Sequence, residues 1–143
     1  MGKILRVDLT KAKMKTEAIP EDWKINYIGG NGFAARILYD ELNPGIDPLG
    51  PENKLIFMTG PLTGTMCPAS GRYAVYAKSP LTGVWGESYS GGHFGPELRF
   101  SRFGGIIFEG RSEKPVYLLI DDGKPELRSA EDLWERTHMK RRR

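Results

Sequence analysis

Arg72 is the charge in this chain with the most chemistry open to it. It follows Ser70-Gly71 and opens an alternating run that ends at Lys78. A guanidinium projecting beyond a strand end either grips a phosphate through two parallel N–H bonds or closes a surface ion pair, for example with Glu87. Further on, Ser90-Gly91-Gly92 makes a turn with little side chain. Backbone N–H groups in such a turn approach a polar or anionic ligand closely. Gly91 and Gly92 therefore weigh towards an anion as the partner of Arg72. Glu87 and Glu97 flank the same turn. Paired carboxylates do acid–base work where burial separates their pKa values, and are otherwise solvated. Cys67 and His93 have the types of a nucleophile and its base. A lone cysteine beside Met66 and Pro68 serves equally as a small buried hydrophobe. His93 and His138 are the only histidines, and no pair has metal-ligand spacing. Gly29-Gly30-Asn31-Gly32 precedes a helical pattern. It reads as a tight inter-helix turn rather than a phosphate cradle, because no strand leads into it.

Short elements must hold these residues. Lys3–Leu9 alternates in period two, with Ile4, Arg6 and Asp8 on one side and Leu5, Val7 and Leu9 on the other. Met14–Ile19 reads as its return strand. Pro20-Glu21-Asp22 starts a short helix that runs to about Ile28. Asn31 is placed to cap a second helix over Phe33–Leu42, whose buried stripe is Phe33, Ile37, Leu38 and Leu42. Lys54–Thr59, Arg72–Lys78, Val84–Ser88, Gly105–Glu109 and Val116–Asp121 read as strands. Gly95–Phe100 reads as a helix with Leu98 inward. Asp122-Gly123 turns a hairpin into Pro125–Arg128, and a last helix runs from Ser129 to about Arg136. The tetrapeptide Pro-Leu-Thr-Gly occurs at Pro61–Gly64 and again at Pro80–Gly83, both times at a turn. Strands dominate and helices are short, which makes the fold class α+β.

Bulk properties narrow the function. At 143 residues the chain forms one domain with a real core. Glycine, at 18 residues, stands well above the usual roughly 7% and calls for many tight turns. The net charge is +3, but Lys140, Arg141, Arg142 and Arg143 supply +4, so the body carries 3 − 4 = −1. The basic character belongs to the tail, which argues against a nucleic-acid-binding face. One cysteine cannot form an intrachain disulfide, a cysteine-rich zinc site or a cysteine-held iron–sulfur cluster. No apolar run reaches the ~20 residues of a membrane span. The expectation is a soluble, cytoplasmic protein with no membrane and no nucleic acid among its partners.

The run LGPENKLIFMTGPLTGT, then SGRYAVYAKSPLTGVWGESYSGGHFGPELRF, then GGIIFEGRSEKPVYLLI, resembles the N-terminal domain of the tungsten-containing aldehyde:ferredoxin oxidoreductase family. The opening KILRVDLT and the late AEDLW fit the same pattern, so the resemblance spans Gly2 to about Trp134. It implies a strand-rich domain of two sheets with short inserted helices over residues 1–136, followed by a basic tail at 137–143. It implies an oxidoreductase that turns aldehydes into carboxylic acids and passes electrons to ferredoxin. The cofactor implied is a tungsten (or molybdenum) bis-molybdopterin with a [4Fe–4S] cluster. Arg72 of the GRY motif would contact the pterin. Ser90, Gly91 and Gly92 would lie against the pterin and its phosphates, and the carbonyl of Tyr89 would lie near the magnesium that bridges them.

Family members are much longer. Their cluster cysteines, remaining pterin contacts and substrate cavity lie in later domains, so this chain holds a partial cofactor site and ligates no cluster. It is expected to be inactive alone and to need the missing C-terminal domains or a complementary subunit. The rival reading is a truncated or split-gene binding and assembly module without redox activity. A second rival is a non-functional remnant, which would expose an apolar face where the missing domains would pack and would be aggregation-prone or homodimeric. A Cys67-dependent hydrolase is a third alternative.

Overall fold

The computed structural model describes residues 2–134. The tail at 137–143 and the end of the last helix lie outside the described residues. Eight strands and three helices follow in the order β1 (Lys3–Asp8), β2 (Lys13–Glu17), α1 (Glu21–Asn26), α2 (Asn31–Glu41), β3 (Lys54–Thr59), β4 (Tyr73–Lys78), β5 (Trp85–Ser90), α3 (Phe94–Phe100), β6 (Phe103–Glu109), β7 (Val116–Asp121) and β8 (Lys124–Ser129). A helical turn follows at 131–134. The architecture is α+β, as the residues led one to expect, and it has two sheets, as the resemblance implied.

Six strands form one mixed sheet in the order β2-β1-β6-β3-β4-β5, and β7-β8 form a separate two-stranded ribbon. Only β1 and β6 run parallel; every other neighbour is antiparallel. The middle strands bury both faces, which is why β6 begins FGGII with five buried residues in a row. On one face Ile4, Ile56, Met58, Ala74, Tyr76 and Ile107 pack under Phe33, Ala34, Ile37 and Leu38 of α2, with Trp23 and Tyr27 beside them. On the other face Leu5, Val7, Phe103 and Ile106 pack under Leu98 of α3 and Leu118, Ile120 and Leu127 of the ribbon. Gly105 lets β6 and β3 meet, because a β-carbon there would lie 2.8 Å from the Phe57 carbonyl oxygen.

A charged cluster ties β1 to the end of α2. Arg6 bonds both carboxylate oxygens of Glu41 at 2.8 Å and reaches Glu109 at 3.1 Å and Glu17 at 3.3 Å. Lys54 reaches Glu109 at 2.8 Å and Glu41 at 3.1 Å. The alternation of β1, which places Arg6 on the side of Ile4 and so under α2, produces this contact.

Candidate functional site

Arg72 sits immediately before β4, which lies one place in from the edge strand β5 rather than at the centre of the sheet. The β4–β5 ladder runs from Lys78 opposite Trp85 to Tyr73 opposite Ser90. One step beyond its last pair, Arg72 comes beside Gly91. The two chains stay close past that point: a β-carbon on Gly71 would lie 3.5 Å from the Gly92 carbonyl oxygen. Ser90 ends β5, and Gly92 turns the chain into α3 at a φ of +90°, which suits glycine. No atom would lie within 4 Å of a β-carbon at Gly91 or Gly92, so open space stands before both.

The first Pro-Leu-Thr-Gly copy holds Arg72 in place. Thr63 is buried, and its hydroxyl accepts from the Gly60 N–H at 3.1 Å and donates to the Arg72 carbonyl at 3.1 Å. The second copy closes the β4–β5 hairpin at the opposite end of the ladder, with the Ser79 N–H bonded to the Val84 carbonyl. The two copies thus make turns with different hydrogen bonds at two ends of one strand, and only the first borders Arg72.

A cleft of about 360 Å³ opens beside Arg72. Gly30, Asn31, Thr63, Cys67, Tyr76 and Tyr89 are among the residues that line it with Arg72. Ser90, Gly91 and Gly92 stand next to these lining residues without lining it themselves. Arg72 is exposed, and its guanidinium makes no ion pair among the described residues. The surface pair with Glu87 does not form. Glu87 instead accepts from Trp85 Nε1 at 2.9 Å and from Asn31 Nδ2 at 3.3 Å.

Asn31 does not cap α2. Gly30 occupies that position, and the Asn31 side chain reaches over the cleft. Its Oδ1 accepts from the Tyr76 hydroxyl at 2.5 Å, and its Nδ2 donates to the Tyr89 hydroxyl at 2.6 Å. Burial pushes the Tyr76 phenol well above its ordinary value, and Tyr89 and Glu87 add to the shift, so Tyr76 is a proton donor at neutral pH. The turn before Asn31 is strained. Ile28, a β-branched residue, has a φ of +65°, a conformation that costs roughly 1–2 kcal/mol. Gly30 follows at φ +49° and ψ −119°, and a β-carbon at Gly32 would strike the Tyr27 carbonyl oxygen. A single amide among three glycines was the signal available in the sequence, but its target two strands away was not.

The remaining candidates do not assemble. Glu87 faces α2 through its partners, whereas Glu97 lines a groove on the other face with Phe57 and Phe94. Cys67 is exposed rather than buried, contrary to the small-hydrophobe reading, and among the described residues no hydrogen bond joins it to His93. His93 precedes α3 and is exposed. Two larger hollows, of about 590 and 570 Å³, occupy the other face. The first is lined by Glu97, Asp121 and Asp122, which would repel an anion. The cations of the second, Lys54 and Lys78, are engaged by Glu109 and by the Ile46 carbonyl. Among the described residues, no three His, Cys, Asp or Glu side chains gather as a metal site, and no helix is long and apolar enough to cross a membrane.

Known proteins resemble this chain over nearly its whole length. The tungsten-containing aldehyde ferredoxin oxidoreductase of Pyrococcus abyssi is 50% identical over 133 residues, covering 93% of this chain and 22% of that protein. The enzyme of the same name from Pyrococcus horikoshii is 49% identical with the same coverage. The active-site complex BamBC of benzoyl coenzyme A reductase, solved with 1,5-dienoyl-CoA, superposes with a TM-score of 0.90 at 40% identity, covering 92% of this chain and 20% of that one. The chain therefore spans about a fifth of the length of these relatives. The family model described as aldehyde ferredoxin oxidoreductase, N-terminal domain, matches residues 4–142, and the chain belongs to that family.

Proposed function

We propose that this chain is the pterin-base domain of an aldehyde:ferredoxin oxidoreductase-like enzyme. The observation that carries the reading is that Arg72, which makes no ion pair among the described residues, lines a cleft and follows on in register to the open Gly91–Gly92 turn. The residues fit one side of a phosphorylated pterin. Arg72 would neutralise a phosphate bidentately. Ser90, Gly91 and Gly92 would let the phosphate approach the backbone without meeting side chains. The carbonyl of Tyr89, on the edge strand, would face the bridging magnesium. Thr63 fixes Arg72 from behind. The tungsten or molybdenum bis-molybdopterin, when bound, supplies the oxidation of an aldehyde to a carboxylic acid, with electrons leaving through a [4Fe–4S] cluster to ferredoxin. The chain's own part is to bind and orient.

A single cysteine provides no cluster ligation within this sequence. In this reading the cluster, the rest of the cofactor cage and the substrate cavity come from further domains or from a complementary subunit, and the chain alone is inactive. A benzoyl coenzyme A reductase component shares this fold in an enzyme of another name. The aldehyde would accordingly be chosen outside this domain.

The test is to purify the chain from its native host and measure metal, pterin and bound polypeptides. The expected result is tungsten or molybdenum together with pterin in a complex with a cysteine-bearing polypeptide. Aldehyde-dependent dye reduction should be present in that complex and absent from the chain alone. A complex free of metal and pterin would favour the assembly module instead. Activity of the isolated chain loaded with cofactor would contradict the division of labour.

A further inference from the structure

Tyr89 lies one residue before the end of an edge strand, and about half of its side chain is open to solvent, at 51% exposure. An aromatic side chain in that position ordinarily swings between rotamers. Here its hydroxyl is held 2.6 Å from Asn31 Nδ2, and Asn31 is itself held at 2.5 Å by the hydroxyl of Tyr76. Tyr76 is 1% exposed and packs its ring 5.1 Å from that of Trp85. The chain of bonds therefore runs from the core to an exposed ring at the cleft. Its middle member comes from the strained turn of Ile28, Gly30 and Gly32. Backbone strain of that kind persists where the surroundings over-determine it, and it clusters at ligand sites.

We infer that the Tyr89 ring is a fixed wall of the cleft on which a planar heteroaromatic ring stacks, and that Asn31 is the positioning residue that holds it. The inference rests on the pterin-base reading and adds to it a side-chain contact for Tyr89 that the backbone-carbonyl role does not require. The ligand class is a flat heterocycle bearing a phosphate. The ring lies on Tyr89, and the phosphate reaches Arg72 and the Gly91–Gly92 turn. A tethered aromatic loses little freedom on stacking, so pre-organisation contributes to affinity.

The test uses the full chain with two fluorescent probes, 6-hydroxymethylpterin and its phosphate ester, followed by quenching of pterin emission. Tyr89→Ala should weaken both probes about tenfold, the scale of one aromatic stacking contact. Asn31→Ala and Tyr89→Phe keep the ring and cut its tether, and both should weaken the two probes by roughly threefold, short of the full loss. Nuclear relaxation of the Tyr89 ring should show added motion in Asn31→Ala, a change that a merely structural role for Asn31 would not require. Arg72→Ala should weaken the ester and leave the unphosphorylated probe unchanged. Wild-type affinity for both probes in Tyr89→Ala, with the Arg72 effect intact, would overturn the wall and leave the phosphate seat standing. If Tyr89→Ala does not fold, an unchanged affinity of Asn31→Ala for the ring probe overturns the inference. A wild-type chain that binds neither probe would overturn the seat and the wall together.

Discussion

Phe33→Ala should remove about 3–5 kcal/mol of folding stability and lower the melting temperature by roughly 10–20 °C. Phe33 is 1% exposed and sits at the centre of the face that α2 presents to the sheet. Its ring meets that of Trp23 at 6.0 Å, so the truncation opens a hole between α1, α2 and the sheet at once. Small-domain stabilities lie near 5–15 kcal/mol, so this single change takes away a large fraction of the total. The effect reaches function through geometry. Asn31 is the first residue of α2, two positions before Phe33, and a loosened α2 withdraws its grip on Tyr76 and Tyr89. Thermal denaturation followed by far-UV circular dichroism measures the loss. A shift of only a few degrees would mean that α2 is not held by this contact.

Arg6→Met is the second large effect, on the order of 2–4 kcal/mol at pH 7. The arginine serves Glu17, Glu41 and Glu109 together, and its side chain is only 17% exposed. Without it, Glu41 and Glu109 share the single charge of Lys54, and Glu17 keeps only the exposed Lys15. Burial alone would push the Glu41 carboxyl up. Hydrogen bonds and charge from Arg6, then Lys54, outweigh burial and hold the carboxyl below its ordinary range. Glu109 is likewise pushed up by burial and brought below its ordinary value by Lys54 and then Arg6. A carboxylate whose folded pKa is depressed contributes stability that is full above its unfolded value, about 4.3. That stability is lost as pH falls through the lower folded value. Wild-type stability should therefore drop below about pH 4.3, and Arg6→Met should lose less there, so the gap between the two proteins narrows in acid. Urea titrations at pH 7 and pH 3.5 read both numbers. A gap that is constant across that range would show that the ionised carboxylates do not carry the stabilisation.

Much of the fold was legible because local pattern and tertiary role agree. Lys54–Thr59 and Val116–Asp121 are apolar runs bounded by turn residues, and both form strands at those limits. The α2 stripe is a plain helical period, and Phe33, Ile37 and Leu38 are buried as expected. Asp122 and Gly123 both adopt the positive φ of a tight hairpin turn. What stayed hidden depends on which strands lie side by side. The parallel pairing of β1 with β6 joins residues about a hundred positions apart, and no local signal encodes it. The same ignorance of strand order made Asn31 look like a cap, since its partners Tyr76 and Tyr89 lie on β4 and β5. Nor did the repeat itself tell that its two turns, both correctly placed between strands, lie at opposite ends of β4. Residue chemistry and the resemblance both paired Arg72 with Gly91 and Gly92, but neither held the strand register that brings them together. The register from Tyr73 opposite Ser90 now supplies the physical reason.

The central claim is that a guanidinium and two open glycines form a seat for a phosphorylated pterin. It is tested most directly by amide and guanidinium chemical shifts of the chain titrated with 6-hydroxymethylpterin phosphate. The account predicts saturable shifts at the Gly91 and Gly92 N–H groups and at Arg72 Nε–H, with the Tyr89 ring moving in step. Shifts confined to the opposite face, around Phe57, Phe94 and Phe108, or none at all, would contradict it.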